Sequence, residues 1–194
     1  KSIHRIQFRL ISQRKERAIM YYSAIKYNDV ANGPGIRVSL FVSGCTNRCP
    51  GCFNKNTWAF DNGFVFTEET ENEIIENLSK ARYKGITILG GEPFELQNQP
   101  SVLHLIQKIR NDLPEKDIWL YTGFTYEKDL APGGKRYIPD VTNKILELSD
   151  VLVDGRFILE QKDISLTFRG SANQRILDLH ASTCDNIVMR DDIM

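Results

Sequence analysis

Three cysteines within eight residues are the feature of this sequence best suited to chemistry. Cys45, Cys49 and Cys52 follow a C-x3-C-x2-C pattern inside the segment GCTNRCPGC, and they are three of the four cysteines in the chain. In a chain with the character of an intracellular protein, so tight a cluster favours metal ligation over disulfide bonds. We therefore expect these three thiols to bind a metal centre.

The number and spacing of the ligands separate the metals that such a loop could bind. A structural zinc ion takes four ligands, usually from two C-x2-C pairs, and the neighbouring sequence has neither a second pair nor a histidine. Cysteines of mixed spacing on one loop suit an iron-sulfur cluster. Three ligands would leave one iron open, and an open position is where catalytic metal sites bind small molecules. The alternative is a zinc loop completed by Cys184 or by a distant histidine.

The elements that must position this loop alternate between strand and helix patterns. Apolar, β-branched runs predict buried strands, and apolar residues at helical spacing predict helices. The alternation predicts an α/β fold with a mostly parallel sheet and helices outside. A closed eight-unit barrel needs about 250 residues, so a chain of 194 residues allows only a partial, open barrel. The predicted strands are residues 37–43, 86–89, 117–121 and 151–153, and the predicted helices are 102–109, 142–148 and one that begins at Thr67.

Chemistry in such folds lies in the loops that follow the carboxyl ends of the strands. The cysteine loop follows the first predicted strand, and the segment Gly90, Gly91, Glu92 and Pro93 ends the second. Glycines let a backbone approach a ligand closely, and a carboxylate accepts hydrogen bonds from an ammonium group. We expect this segment to hold a ligand, although Gly-Gly alone would indicate only a tight turn.

Polar side chains follow the other two predicted strands. Thr122 follows residues 117–121, and Asp154 and Arg156 follow residues 151–153. We expect their hydroxyl, carboxylate and guanidinium groups to lie at the same end of the sheet as the cysteine loop, which we call the mouth of the predicted barrel. For Asp154, a salt bridge with Arg156 or with a neighbour is an equal alternative.

The sequence resembles a known family well beyond its cysteines. GCTNRCPGC after the first strand is similar to the signature of radical S-adenosylmethionine enzymes, in which three cysteines hold a 4Fe-4S cluster and S-adenosylmethionine chelates the fourth iron. The whole set of similar segments resembles the activating proteins of the anaerobic (class III) ribonucleotide reductase and spans residues 33–179. These segments are GPGIRVSLFVSGC, CFNKNTW, ITILGGEPFE, DIWLYTGF, DVLVDGRF and FRGSANQRILDL.

The resemblance implies a fold, a reaction and partners. The fold would be the open β/α barrel of radical S-adenosylmethionine enzymes. The activase would form a 5'-deoxyadenosyl radical and take a hydrogen atom from a glycine of the reductase's large subunit, with no catalytic residue beyond the cluster and the cofactor. A one-electron donor such as flavodoxin would reduce the cluster. Contacts with S-adenosylmethionine would come from Gly51, Phe53, Gly90, Gly91, Glu92 and Pro93, with Phe53 near the adenine.

Related activases imply further assignments. Thr122 and Asp154 would hold a monovalent cation, with Arg156 near the cofactor. Gly33, Pro34, Gly35 and Arg37 would lie on the substrate side of the mouth. The segment 168–175 either covers the open side of the sheet or binds the partner, and Cys184 is expected to be an inert or surface thiol.

Three other functions remain open at this point. The chain could activate another glycyl radical enzyme, from which only the partner would distinguish it. It could be a radical S-adenosylmethionine enzyme that acts on a small molecule. A zinc-binding interaction module, which would hold zinc instead of iron, belongs to another class altogether.

Composition limits the partners and the location. Lys and Arg number 25, Asp and Glu number 25, and the pI is about 7.0, so overall charge indicates neither a nucleic-acid nor a membrane partner. No apolar run approaches the roughly 20 residues of a membrane helix, and we expect a cytoplasmic protein.

Residues 1–19 carry six basic residues and one acidic residue. We expect them to be a non-native leader, with a transit peptide or a nucleic-acid arm as alternatives, before a single domain at 20–194.

Overall fold

The computed structural model describes residues 19–193. Its strands are β1 (Tyr21–Asp29), β2 (Arg37–Val42), β3 (Phe64–Val65), β4 (Gly85–Gly90), β5 (Asp117–Tyr121), β6 (Val151–Asp154) and β7 (Arg175–Asp178). Its α-helices are α1 (Glu68–Leu78), α2 (Gln99–Asp112) and α3 (Val141–Glu147). Short 3-10 helices occupy Lys55–Trp58, Leu159–Gln161 and Asp191–Ile193, and a π-helical turn occupies Tyr126–Leu130.

All seven strands belong to one sheet in the order β3-β1-β2-β4-β5-β6-β7. The four central strands β2, β4, β5 and β6 pair in parallel, which confirms the predicted α/β fold and parallel core. The flanking strands pair antiparallel, β1 with β2, β3 with β1 and β7 with β6. Five of the seven strands therefore run in the same direction. Within residues 19–193, β3 and β7 are not paired with each other, so the sheet is open.

The central strands are buried on both faces, which explains their continuous apolar sequences. Alternate residues of each strand point to opposite faces. One set packs under the helices and forms the main core, whose buried strand members are Val38, Leu40, Val42, Ile86, Ile88, Ile118, Leu120, Leu152 and Leu177. The other set forms a smaller cluster on the opposite face, made of Trp119, Val151, Val153 and Ile176.

Helix α1 has the cap that its sequence predicts, and the ends of the other two helices differ slightly from the predicted ones. At α1, the Thr67 hydroxyl accepts a hydrogen bond from the Thr70 N–H at 3.3 Å, and Ile74 and Leu78 are fully buried. Helix α2 begins at Gln99, three residues before its predicted start, because Pro100 fits the first turn of a helix. Helix α3 begins and ends one residue earlier than predicted.

The sequence reading missed the three antiparallel strands. Strands β1 and β3 interrupt the predicted strand-helix alternation, and β7 follows the last predicted strand. The leader predicted at residues 1–19 lies outside the described residues except for Ile19, and the single domain at 20–194 stays a prediction. No α-helix in residues 19–193 has the length and apolar character needed to cross a membrane.

Candidate metal and cofactor site

The loops that follow the four parallel strands surround one cavity. Its walls include the cysteine loop after β2, the Gly-Gly-Glu segment after β4, Thr122 after β5 and Gly155 after β6. The cavity has a volume of about 210 Å³, whereas a single water needs roughly 10 to 15 Å³. The space therefore suits a group of many atoms better than a single ion.

All three predicted ligand cysteines line this cavity. Cys45 and Cys49 are buried and Cys52 is partly exposed, and none is in a disulfide. Burial, and secondarily the nearby Glu92 carboxylate, raises the pKa of the Cys45 thiol to about 11, so a metal binding here must displace a proton. Among residues 19–193, no three His, Cys, Asp or Glu side chains are close enough to share one metal ion. Three free thiols around a large cavity are a donor set that fits an iron-sulfur cluster.

The cysteine loop is closed by its own backbone. Gly44 N–H donates to Thr57 O at 2.8 Å, and Cys45 N–H donates to Trp58 O at 3.2 Å, so the 3-10 turn Lys55–Trp58 folds back on the start of the loop. Arg48 has a left-handed backbone conformation (φ 46°), which is uncommon outside glycine. The loop is thus a compact, strained turn.

The two glycines after β4 are required by the close approach of that segment to the cysteine loop. Gly91 N–H donates to Val42 O at 2.7 Å, and Glu92 N–H donates to Gly44 O at 2.9 Å. A Cβ on Gly91 would lie 2.6 Å from Gly44 O, and Gly90 has a φ of +108°. Both glycines line the cavity, whereas Pro93 is buried and is not among the lining residues.

Glu92 presents a fixed, buried carboxylate at the cavity wall. Its side chain is 1% exposed. Oε1 accepts from Phe94 N–H at 3.0 Å and from the Thr122 hydroxyl at 2.9 Å, and Oε2 accepts from Gly123 N–H at 2.8 Å and from Asn47 Nδ2 at 3.2 Å. Burial raises the pKa of Glu92 to about 7. The carboxylate can serve as an acceptor for a cationic ligand group in the cavity.

Asn47, which the sequence reading missed, is part of the cavity wall and forms a hydrogen bond with Arg156. Asn47 lines the cavity, and its backbone O accepts a hydrogen bond from Arg156 Nη2 at 2.6 Å. Arg156, predicted near the cofactor, therefore contacts the cysteine loop. An amide between two of the predicted ligand cysteines has no spacing signal that could have identified it.

The carboxylate of Asp154 forms a buried salt bridge with Arg175. The carboxylate is fully buried and accepts from Arg175 Nε at 2.8 Å, from Arg175 Nη2 at 2.5 Å and from Tyr126 N–H at 3.0 Å. The salt bridge of Asp154 therefore forms with Arg175 and not with Arg156. Because the Thr122 hydroxyl is bonded to Glu92, the structure gives Thr122 and Asp154 separate partners, and their shared cation site stays a prediction.

Replacing Arg175 by methionine should destabilise the fold strongly. The substitution leaves the buried Asp154 without its charged partner, and breaking a buried pair in this way costs about 3 to 5 kcal/mol. Urea unfolding of the metal-free protein would measure the loss. Arg190→Met removes an exposed pair with Asp192 and should cost less than about 1 kcal/mol. Equal effects of the two substitutions would contradict this assignment.

Aromatic side chains and the segment 168–175 form another wall of the cavity. The ring of Phe53 is 74% exposed and lies edge-on to Phe157, with centroids 6.2 Å apart. Gln174 Oε1 accepts from Gly170 N–H at 2.9 Å, and Gln174 Nε2 donates to Gly155 O at 3.1 Å. Both Gly170 and Gln174 line the cavity, so this segment covers one side of it. A partner-binding role for the segment stays a prediction.

The turn Gly33, Pro34 and Gly35 is not brought to the cavity. It precedes Arg37 at the amino end of β2, whereas the cysteine loop follows the carboxyl end. Arg37 is fully buried. Its Nη1 lies 2.6 Å from Asp117 Oδ1, and its Nε donates to the Thr87 hydroxyl at 2.7 Å. The substrate-side role of these four residues stays a prediction. Cys184 is exposed and does not line the cavity, as expected for a surface thiol.

Comparison with known proteins adds independent findings. A family model described as "4Fe-4S single cluster domain" matches residues 31–177. The anaerobic ribonucleoside-triphosphate reductase-activating protein of Escherichia coli (strain K12) is 45% identical over 148 residues, which cover 75% of this chain and 90% of that protein. The protein of the same name from Vibrio cholerae serotype O1 is 45% identical over 150 residues, covering 76% and 91%. The crystal structure of QueE from Escherichia coli covers 70% of this chain and 71% of that chain with 16% identity and a TM-score of 0.41, too low a similarity to bear on the fold.

Proposed function

This chain belongs to the family of anaerobic ribonucleoside-triphosphate reductase-activating proteins, and from that membership we propose how its cavity works. The protein is an iron-sulfur activase that takes a hydrogen atom from a glycine of the anaerobic ribonucleotide reductase and so forms the glycyl radical. One observation supports this function most: three free cysteines and a buried carboxylate line the same cavity at the carboxyl ends of the parallel strands.

Cys45, Cys49 and Cys52 would hold a 4Fe-4S cluster, and S-adenosylmethionine would bind the iron that they leave open. When bound, these groups supply a low-potential electron and a 5'-deoxyadenosyl radical able to take the glycine hydrogen. The three thiols are the donor type that such clusters require. The family match to a 4Fe-4S domain also favours an iron-sulfur cluster over a zinc ion.

The chain's own residues would bind and orient the cofactor. Glu92, fixed by four donors, would accept hydrogen bonds from the ammonium group of S-adenosylmethionine. Gly90 and Gly91 would let the backbone lie close to it, and Phe53 and Phe157 would flank its adenine. The segment 168–175 would keep water from one side of the cavity. No side chain is needed as an acid or base in this scheme.

Several finer features are proposals of the same kind. The open sheet would curve as a partial barrel, which leaves room for a glycine-bearing segment where a filled barrel would not. The glycine must enter this space because reacting atoms have to lie within about 3 to 3.5 Å. A reduced one-electron donor such as flavodoxin would supply the electron, and the reaction would take place in the cytoplasm.

Electron paramagnetic resonance tests this function directly. Reconstituted protein, dithionite, S-adenosylmethionine and the candidate reductase, mixed without oxygen, should give a glycyl radical signal. A reductase with alanine in place of the target glycine should give none. The assignment fails if there is no signal from a reductase that another activase converts to its radical form.

A further inference from the structure

Thr46, between the first two ligand cysteines, is held by two side chains that lie outside the cavity. Its N–H and its hydroxyl both donate to Glu95 Oε1, at 2.8 Å and 2.6 Å. Arg136 Nη2 donates to the same hydroxyl at 2.6 Å and lies 3.2 Å from Glu95 Oε2. Each of the three side chains therefore contacts the other two. Neither Glu95 nor Arg136 lines the cavity.

Both supporting residues are anchored in the core. Glu95 is 3% exposed, and its backbone O accepts from Gln99 N–H at 3.1 Å at the start of α2. The backbone O of Arg136 accepts from Gln99 Nε2 at 2.7 Å, and the guanidinium lies 4.7 Å from the ring centre of Phe124. Because Gln99 is fully buried and bonded to both residues, Glu95 and Arg136 move with the body of the protein.

We propose that Glu95 and Arg136 are positioning residues that hold the cysteine loop in its metal-binding shape before any metal arrives. A loop that had to be ordered on binding would lose part of its affinity to the entropy cost of ordering. Support by residues behind the ligands is a general way to set ligand geometry. Hydrogen bonds to a charged acceptor such as Glu95 are strong enough to do this. The proposal rests on the assigned cluster ligands but can be tested without a cluster.

Thr46 offers a matched pair of variants, because it is exposed and its replacement should not disturb folding. Thr46→Val removes the hydroxyl, and Thr46→Ser keeps it. In the metal-free protein, amide hydrogen exchange of residues 46–48 should be about tenfold faster in Thr46→Val, with Thr46→Ser close to the wild type. In the reconstituted protein, chelators should remove iron about tenfold faster from Thr46→Val than from the other two.

Two more variants separate positioning from general stability. Glu95→Gln keeps an oxygen for Thr46 but loses the ion pair with Arg136, and it should lie between the wild type and Thr46→Val in both measurements. Lys108→Ala removes a surface salt bridge of α2, in which Lys108 Nζ lies 3.3 Å from Asp112 Oδ2, and this variant should behave as the wild type.

The proposal is overturned if Thr46→Val exchanges amide hydrogens and loses iron at the wild-type rates. It is also overturned if Lys108→Ala changes both rates as much as Thr46→Val does. Glycyl radical formation by the wild-type protein is a separate measurement, so either conclusion can fail alone.

Discussion

A Cys49→Ala variant should form no glycyl radical on the reductase, while Cys184→Ala should match the wild type. Cys49 lines the cavity and is buried, whereas Cys184 is exposed and does not line it. With only two thiols left, the cluster would lack the third of its protein ligands. Loss of a metal centre removes the chemistry that depends on it, so the effect should be complete rather than partial.

The measurement is iron and sulfide per chain after anaerobic reconstitution, together with the radical signal. Cys45→Ala and Cys52→Ala should behave as Cys49→Ala does. Circular dichroism of the metal-free variants controls for folding. Full activity of Cys49→Ala would show that this residue is not a ligand.

A Glu92→Gln variant should bind S-adenosylmethionine roughly 10- to 100-fold more weakly, because losing a hydrogen bond to a charged group costs about 1.5 to 3 kcal/mol. The NH₂ group of the amide would also face two of the four donors that now bond to the carboxylate, for example Gly123 N–H and Asn47 Nδ2. Equilibrium binding to the reconstituted protein measures the loss. Glu160→Gln, at an exposed position outside the cavity lining, is the matched control and should bind normally.

The same residue predicts a pH dependence. Burial raises the pKa of Glu92 to about 7, so the group is largely neutral below that pH and ionised above it. A positively charged ammonium prefers the ionised form. The affinity of the wild type for S-adenosylmethionine should therefore rise as pH increases through about 7 and then level off, and Glu92→Gln should lack this rise. A wild-type affinity that falls over the same range would contradict the role of Glu92.

The sequence predicted the centre of the sheet better than its edges. Central parallel strands are buried on both faces, so their apolar runs are continuous, and Asp117–Tyr121 was predicted to the residue. Strand β1, next to the two-residue edge strand β3, is half-exposed along most of its length, and β7 has only four residues, so neither gives a clear pattern. Whether the sheet curves into a barrel depends on twist, which a hydrophobic pattern does not encode.

At the site, local spacing was informative and long-range contacts were not. The shared position of the cysteines and Glu92 at one cavity could be predicted because they follow predicted strands directly. Arg136 is 90 positions from Thr46 in sequence, and Arg175 is 21 from Asp154, and nothing in either segment predicts these pairs. Arg37 was grouped with a turn whose composition could not show that its guanidinium is buried against Asp117.

The central claim is that three cysteines leave one iron of the cluster free for S-adenosylmethionine. Electron-nuclear double resonance of the reduced cluster, with ¹⁵N in the amino group of S-adenosylmethionine, tests it most directly. We predict a hyperfine coupling between that nitrogen and the cluster, lost in Cys49→Ala. No coupling to the bound cofactor, with a fourth protein side chain on that iron instead, would contradict the account.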